Sequence, residues 1–248
     1  VGYTGGTFKQ SAEYYLTAGD LGDELFSRGR MIEYLSWELP ATTEWMNLSA
    51  TFLASQDVSG EANDTFNPMY LELMAEGFLA GGSFLYDLAL VGQYGSGDVN
   101  TLAGIGRLGF SWLPGGPSRL GIEVLSSSGD TWSDRDEYLI NSPAGTDLNQ
   151  YLPLSIVSSQ GFVIEFEVGN LTSLGLFYAR KPRDTHSWEL RTTTFLRTAD
   201  GPVSSGLVSD PSSGGADGKF LGQELLMSWF WRPRSDFGWD LKLGLMYA

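Results

Sequence analysis

Side chains along this chain alternate between apolar and polar with a period of two, and this alternation constrains the fold more than any other feature. The last segment of the sequence shows it most clearly. One face of that segment carries only apolar residues, with aromatic residues at both ends: Phe237, Trp239, Leu241, Leu243, Leu245 and Tyr247. The opposite face carries Gly238, Asp240, Lys242, Gly244 and Met246. Very little of the sequence repeats with the helical period of about 3.6 residues, so it predicts an all-β fold.

The length of the alternating segments favours strands that cross a membrane. They run to about ten residues or more, whereas strands of soluble sandwiches typically have about five or six. A tilted strand needs roughly 9 to 11 residues to cross a bilayer. Aromatic residues also gather at the ends of the segments, and amphipathic rings favour the interface between membrane and water. This group comprises Trp37, Trp45, Trp112, Trp188, Trp229, Trp231, Phe237 and Trp239.

The links between the segments provide a second, independent indication. Tight links fall at 40–44, 80–82, 114–117, 182–186 and 233–236. Longer polar links fall between them, at 19–29, 56–67, 95–100, 128–160 and 200–218. Such alternation is typical of outer-membrane barrels, which have short periplasmic turns and long extracellular loops.

The predicted fold is a transmembrane antiparallel up-and-down β-barrel of about 12 strands, forming one domain over residues 1–248. The segments number about eleven if residues 162–180 form a single long strand. Because bacterial single-chain barrels usually have an even number of strands, we expect one strand more. Either a closing strand is missing from this sequence, or residues 151–159 add one.

Composition excludes several classes of function. The chain has 15 Lys and Arg against 30 Asp and Glu, a formal net charge of −15, which argues against binding a nucleic-acid backbone. It has no cysteine and one histidine, His186. That histidine falls in a tight link, away from the wall and outer rim where a barrel hydrolase needs it. We therefore expect no enzymatic activity.

Function in such a barrel belongs to the inward-facing side chains, because those facing lipid are apolar. Residues that alternate with the apolar positions of a strand point to the opposite side, which here is the lumen. The predicted lumen-lining residues are Glu38, Glu72, Glu76, Asp87, Arg107, Arg119, Glu123, Glu165, Glu167, Glu189, Arg191, Arg197, Glu224, Asp240 and Lys242. Rows of charge set the ion preference of a pore. One interpretation is a hydrated channel for passive passage of small solutes, with a modest preference for cations or neutral solutes.

Two alternatives stay open. The same charges can form a closed salt-bridge network in a plugged barrel, which would act as a structural or docking component of a larger envelope assembly of proteins. The second alternative is a soluble β-sandwich that binds glycans. Its solubility without detergent would distinguish it at once.

One loop offers a candidate metal site. Asp130, Asp134, Asp136 and Glu137 place four carboxylates close together, and Ca²⁺ prefers oxygen ligands. The spacing is not that of an EF-hand, so a solvated acidic loop is the favoured interpretation. No other cofactor is predicted.

The end of the chain resembles a known family. The stretch Gly222-Gln223-Glu224-Leu225-Leu226, followed by a hairpin ending Gly244-Leu245-Met246-Tyr247, is similar to the penultimate hairpin of alginate-export-type porins. More broadly, most of the sequence resembles monomeric bacterial outer-membrane channels. The resemblance implies a location in the bacterial outer membrane, contact with its lipid and lipopolysaccharide, and passage of small solutes. Alginate exporters are expected to have an arginine-rich lumen, which this chain lacks, so their substrate does not carry over.

Overall fold

The computed structural model describes most of the strand-forming parts of the chain. The described residues are 7–15, 30–43, 45–57, 67–96, 101–129, 160–166, 168–201, 203, 218–234 and 237–248. The four predicted calcium ligands and Glu167 lie outside these ranges, as do residues 151–159.

The described residues form one antiparallel sheet of eleven strands, in which spatial order follows sequence order. Its strands are β1 (Thr7–Tyr15), β2 (Arg30–Thr43), β3 (Met46–Asp57), β4 (Asn67–Leu79), β5 (Phe84–Ser96), β6 (Thr101–Trp112), β7 (Ser118–Ser127), β8 (Leu171–Arg183), β9 (His186–Arg197), β10 (Phe220–Arg234) and β11 (Phe237–Tyr247). The predicted all-β, up-and-down arrangement is therefore confirmed. None of the described residues belongs to a helix long and apolar enough to cross a membrane.

The links fall into two groups, one at each end of the strands. At one, which we call the short-link edge, residues 44–45, 80–83, 113–117, 184–185 and 235–236 connect the strands. At the other, the long-link edge, the connections are 16–29, 58–66, 97–100, 128–170 and 198–219. The predicted alternation of link length holds except at 97–100, which is no longer than the short links 80–83 and 113–117 on either side of it in the chain.

Two features differ from the sequence-based expectation. First, no pairing joins β1 to β11 in the described part of the chain, so the structure shows eleven strands in an open sheet rather than a closed barrel of about 12. Second, residues 162–180 are not one strand, because β8 begins only at Leu171. Gly161, Glu165 and Asn170 adopt positive φ angles of 88°, 55° and 54°, which an extended strand does not accommodate.

The sheet has two chemically different faces. The first, which we call the apolar face, carries exposed large side chains from β4 to β11. Leu241, Leu243 and Leu245 on β11 are 48%, 58% and 72% exposed. The second, the ionic face, carries Asp240 and Lys242, which alternate in sequence with these leucines. It also carries the charged residues of the neighbouring strands. The two faces follow from the period-two alternation, because successive side chains of a strand point to opposite sides.

Candidate functional site

The sheet brings the predicted lumen residues of its strands to a single face. Residues directly opposite each other on neighbouring strands point to the same face of the sheet. Moving from partner to partner across the strands therefore connects Glu38, opposite Ser49 on β3, with Lys242 on β11, opposite Ser228. The members of this set are Glu38, Glu72, Glu76, Asp87, Arg107, Arg119, Glu123, Glu189, Arg191, Arg197, Glu224, Asp240 and Lys242. Their assignment to a closed lumen remains a prediction.

Glu165 does not belong to this set. It lies in the link before β8, with a positive φ angle and an exposed side chain, rather than on a strand. The expected position of Glu165 on a long strand over residues 162–180 is therefore wrong, because the backbone turns at Glu165 instead of extending. Glu167 lies outside the described residues.

A cavity of about 650 Å³ lies against the ionic face. Residues from every strand between β4 and β11 line it, so this part of the sheet curves with the ionic face on its concave side. Its charged lining consists of Glu76, Asp87, Arg107, Glu123, Arg191, Glu224 and Lys242. Acidic residues outnumber basic ones by one in this set.

Arg191 is the centre of the main ion-pair cluster. Its Nε donates to Glu189 Oε1 at 2.8 Å, and its Nη1 donates to Glu123 two strands away. The guanidinium also lies 4.8 Å from the centre of the Phe177 ring. Arg119 lies 5.0 Å from the same ring and donates from Nε to Ser111 Oγ at 2.9 Å. Phe177 thus fixes two guanidinium groups by cation–π contact while the carboxylates neutralise one of them.

A second ion pair lies next to an unpaired carboxylate. Arg107 Nη2 is 3.1 Å from Asp87 Oδ1. Glu76 is the cross-strand partner of Asp87, and its side chain is exposed to the cavity region. Glu76 forms no ion pair with any described residue. It is therefore the carboxylate of this cavity that is most available to a mobile cation.

The segment 160–166 crosses the ionic face near β10 and β11. Gln160 and Phe166 exchange two backbone hydrogen bonds, at 2.7 and 2.8 Å, which close a tight turn. Glu224 Oε2 accepts hydrogen bonds from the backbone N–H groups of Phe162 and Val163, at 2.8 and 2.7 Å. Glu224 is only 2% exposed, so this carboxylate is enclosed by the segment that it holds.

Apolar packing holds the other end of the same segment. Phe166 packs with Phe195, their ring centres 4.9 Å apart, in a buried cluster with Leu171 and Val203. Leu221 and Met246 pack against this cluster from β10 and β11. Segment 160–166 thus lies on the concave side of the sheet, and it narrows the space beside the cavity.

Sequence reasoning missed the roles of three of these residues. The period-two alternation alone places Phe177 and Phe195 on the ionic face. Two aromatic side chains among charged ones were therefore the sequence signal that could have indicated their packing roles. For Glu224 no such signal exists, because a glutamate that accepts hydrogen bonds from backbone N–H groups cannot be distinguished in the sequence from any other inward-facing glutamate.

Among the residues described above, no group of three or more His, Asp or Glu side chains is placed to hold a metal ion. The candidate calcium ligands lie outside them. No protein-family model matches the chain, and no curated protein is significantly similar to it. Function is therefore inferred from the two faces of the sheet.

Proposed function

We propose that this protein is a porin-like channel of the bacterial outer membrane, in which the sheet is part of a barrel of about 12 strands. Small solutes pass passively along the ionic face. The observation that carries the proposal is the segregation of the two faces: large apolar side chains are exposed on one, while ionisable side chains border a cavity on the other. A soluble protein rarely exposes an apolar surface of this extent, because burying it is favourable.

The dimensions of the apolar face support a location in lipid. On β11 it extends from Phe237 to Tyr247, and ten steps at about 3.4 Å give roughly 34 Å along the strand. With a tilt of about 40°, this corresponds to roughly 26 Å across the membrane, close to the apolar band of about 25 Å in outer-membrane barrels. The charged side chains described on this face lie near its two ends: Glu33 towards the long-link edge, and Arg180 and Arg183 at the short-link edge.

The charges of the cavity favour a modest preference for cations. Most of the basic groups are neutralised by direct partners, as Arg191 is by two carboxylates and Arg107 is by Asp87. Glu76, which forms no ion pair with a described residue, adds a negative charge beside them. A pore lined in this way attracts cations without excluding neutral solutes.

Planar-bilayer recording tests this proposal. We expect channel openings and a reversal potential, under a KCl gradient, that indicates K⁺ passing more readily than Cl⁻. The variant Glu76→Gln is expected to move the reversal potential towards zero, because it removes the unpaired charge at nearly constant volume. Lys219 is exposed at the long-link edge, away from this cavity. The variant Lys219→Gln therefore changes the net charge of the protein by one unit without touching the cavity, and it serves as the control. Absence of openings, or a clear preference for anions, would contradict the proposal.

One observation favours a second candidate function. Segment 160–166 fills part of the space above the ionic face and is held at both ends. A barrel closed by this segment would act as a structural or docking component of an envelope assembly. That function predicts no conductance, together with partner proteins that co-purify in stoichiometric amounts under mild detergent.

A further inference from the structure

The apolar face contains a small polar site at the short-link edge. Arg180 on β8 is directly opposite Ser118 on β7 and Trp188 on β9, so the three side chains are on one face. Tyr178, two residues before Arg180, shares that face, and its hydroxyl lies 3.2 Å from Ser118 Oγ. The guanidinium of Arg180 and the two hydroxyl groups therefore share one small region of the apolar face.

The charge of Arg180 has no partner in the described part of the chain. Its side chain is exposed, and none of the ion pairs involves it. The nearby Lys181 pairs with Asp184 at 3.0 Å, while Arg183, also exposed and at the same edge, forms no ion pair with a described residue. The one described carboxylate close to Arg180 along the chain, Asp184, is paired with Lys181, so in a chain whose net charge is −15 the arginines of this edge create a local site for an anion.

Aromatic residues lie beside this polar site on the apolar face. Tyr178 and Trp188 make an edge-to-face contact, with ring centres 5.2 Å apart. Trp229, opposite Trp188 on β10, stacks on Trp231 at 6.3 Å. Tyr and Trp are enriched where the acyl chains end and the headgroups begin. With the apolar face in lipid, as proposed above, Arg180 would lie at the level of the headgroups, with apolar residues on the membrane side of it.

We propose that Ser118, Tyr178 and Arg180 bind the phosphate of an anionic glycerophospholipid. Arg180 provides two parallel N–H donors that match two phosphate oxygens. Because the hydroxyl groups of Ser118 and Tyr178 are hydrogen-bonded to each other, one of the two keeps a free O–H as a third donor. The acyl chains lie along the exposed side chains of Ile122 and Leu176, which continue the same face towards the membrane centre. The inference rests on the proposed function, because it requires the apolar face to be in lipid with the short-link edge at the periplasmic leaflet, where phospholipids rather than lipopolysaccharide reside.

Lipid titration monitored by native mass spectrometry tests the site. The delipidated full-length protein in detergent is titrated with phosphatidylglycerol and, separately, with phosphatidylcholine. We expect tighter binding of the anionic lipid, and about tenfold weaker binding of it by Arg180→Gln, because one charge-assisted interaction is lost. Arg180→Lys keeps the charge but not the paired donors, so an intermediate affinity is expected. Lys219→Gln at the opposite edge is expected to bind as the parent does.

The outcomes separate the site from the channel proposal. Equal loss of affinity in Arg180→Gln and Lys219→Gln would overturn the site, because only net charge would then matter. Competition by inorganic phosphate at the lipid's own concentration, or stronger Arg180-dependent binding of lipopolysaccharide, would overturn the choice of a glycerophospholipid. If the parent conducts in bilayers but Arg180→Gln binds lipid unchanged, this inference fails alone. If the parent does not insert into lipid at all, the proposed function fails with it.

Discussion

At the scale of single residues, glycines on the ionic face provide the space that its large side chains occupy. Gly121 is the cross-strand partner of Phe177, the ring that contacts both Arg119 and Arg191. A Cβ atom at position 121 would lie 2.5 Å from that ring and 2.7 Å from Ser111 Oγ. The absence of a side chain at 121 is thus what allows the two guanidinium groups to share one aromatic partner.

The variant Gly121→Ala tests this packing. We expect a loss of about 1–3 kcal/mol in the free energy of unfolding, the usual cost of forcing extra volume into a filled site. Gly92→Ala is the matched control, because a Cβ at position 92 meets nothing within 4 Å. Urea unfolding in detergent micelles, followed by tryptophan fluorescence, measures both. Equal stabilities of the two variants would show that Phe177 moves aside without cost.

At the scale of elements, the link before β8 shows where sequence periodicity reaches its limit. The alternation of residues 162–180 is that of a strand, but Phe166 is buried against Phe195 and Val203, and Glu224 binds the backbone at 162 and 163. These contacts join parts of the chain that are far apart in sequence, so the local period cannot report them. The strands themselves were predictable, because each alternates independently of the others.

The same limit applies to the ionic face. Parity was sufficient to place Glu123, Glu189 and Arg191 on one face. It could not show that Arg191 bonds to Glu123 across β8, because that contact depends on the register of three strands. It also depends on the small residue Gly175, which lies on β8 opposite Glu123. The composition of the candidate site was therefore predictable, whereas its pairing was not.

Removing the Glu224 carboxylate tests the role of segment 160–166. In Glu224→Ala the N–H groups of Phe162 and Val163 lose hydrogen bonds to a charged acceptor, each worth about 1.5–3 kcal/mol. We expect the segment to leave the ionic face, so that single-channel conductance rises and becomes noisier. Glu224→Gln retains an acceptor oxygen and should change conductance less. Identical recordings from the parent and Glu224→Ala would show that the segment does not restrict the pore.

At the scale of the whole molecule, the apolar face predicts how the protein behaves during purification. Trp239, Leu243 and Tyr247 are 57%, 58% and 74% exposed on β11 alone. We expect the protein to require detergent, to reconstitute into liposomes, and to migrate differently on a gel before and after heating. A monodisperse protein in plain buffer would instead favour the soluble, glycan-binding sandwich.

Each strand of the sheet pairs only with its neighbours in sequence. The hairpin is consequently the unit from which the molecule is assembled, and no segment has to pass between two others. Duplication or deletion of one hairpin by a single genetic event would widen or narrow such a sheet by two strands, leaving every remaining partner in place. Related chains with wider or narrower sheets can therefore arise without any new topology.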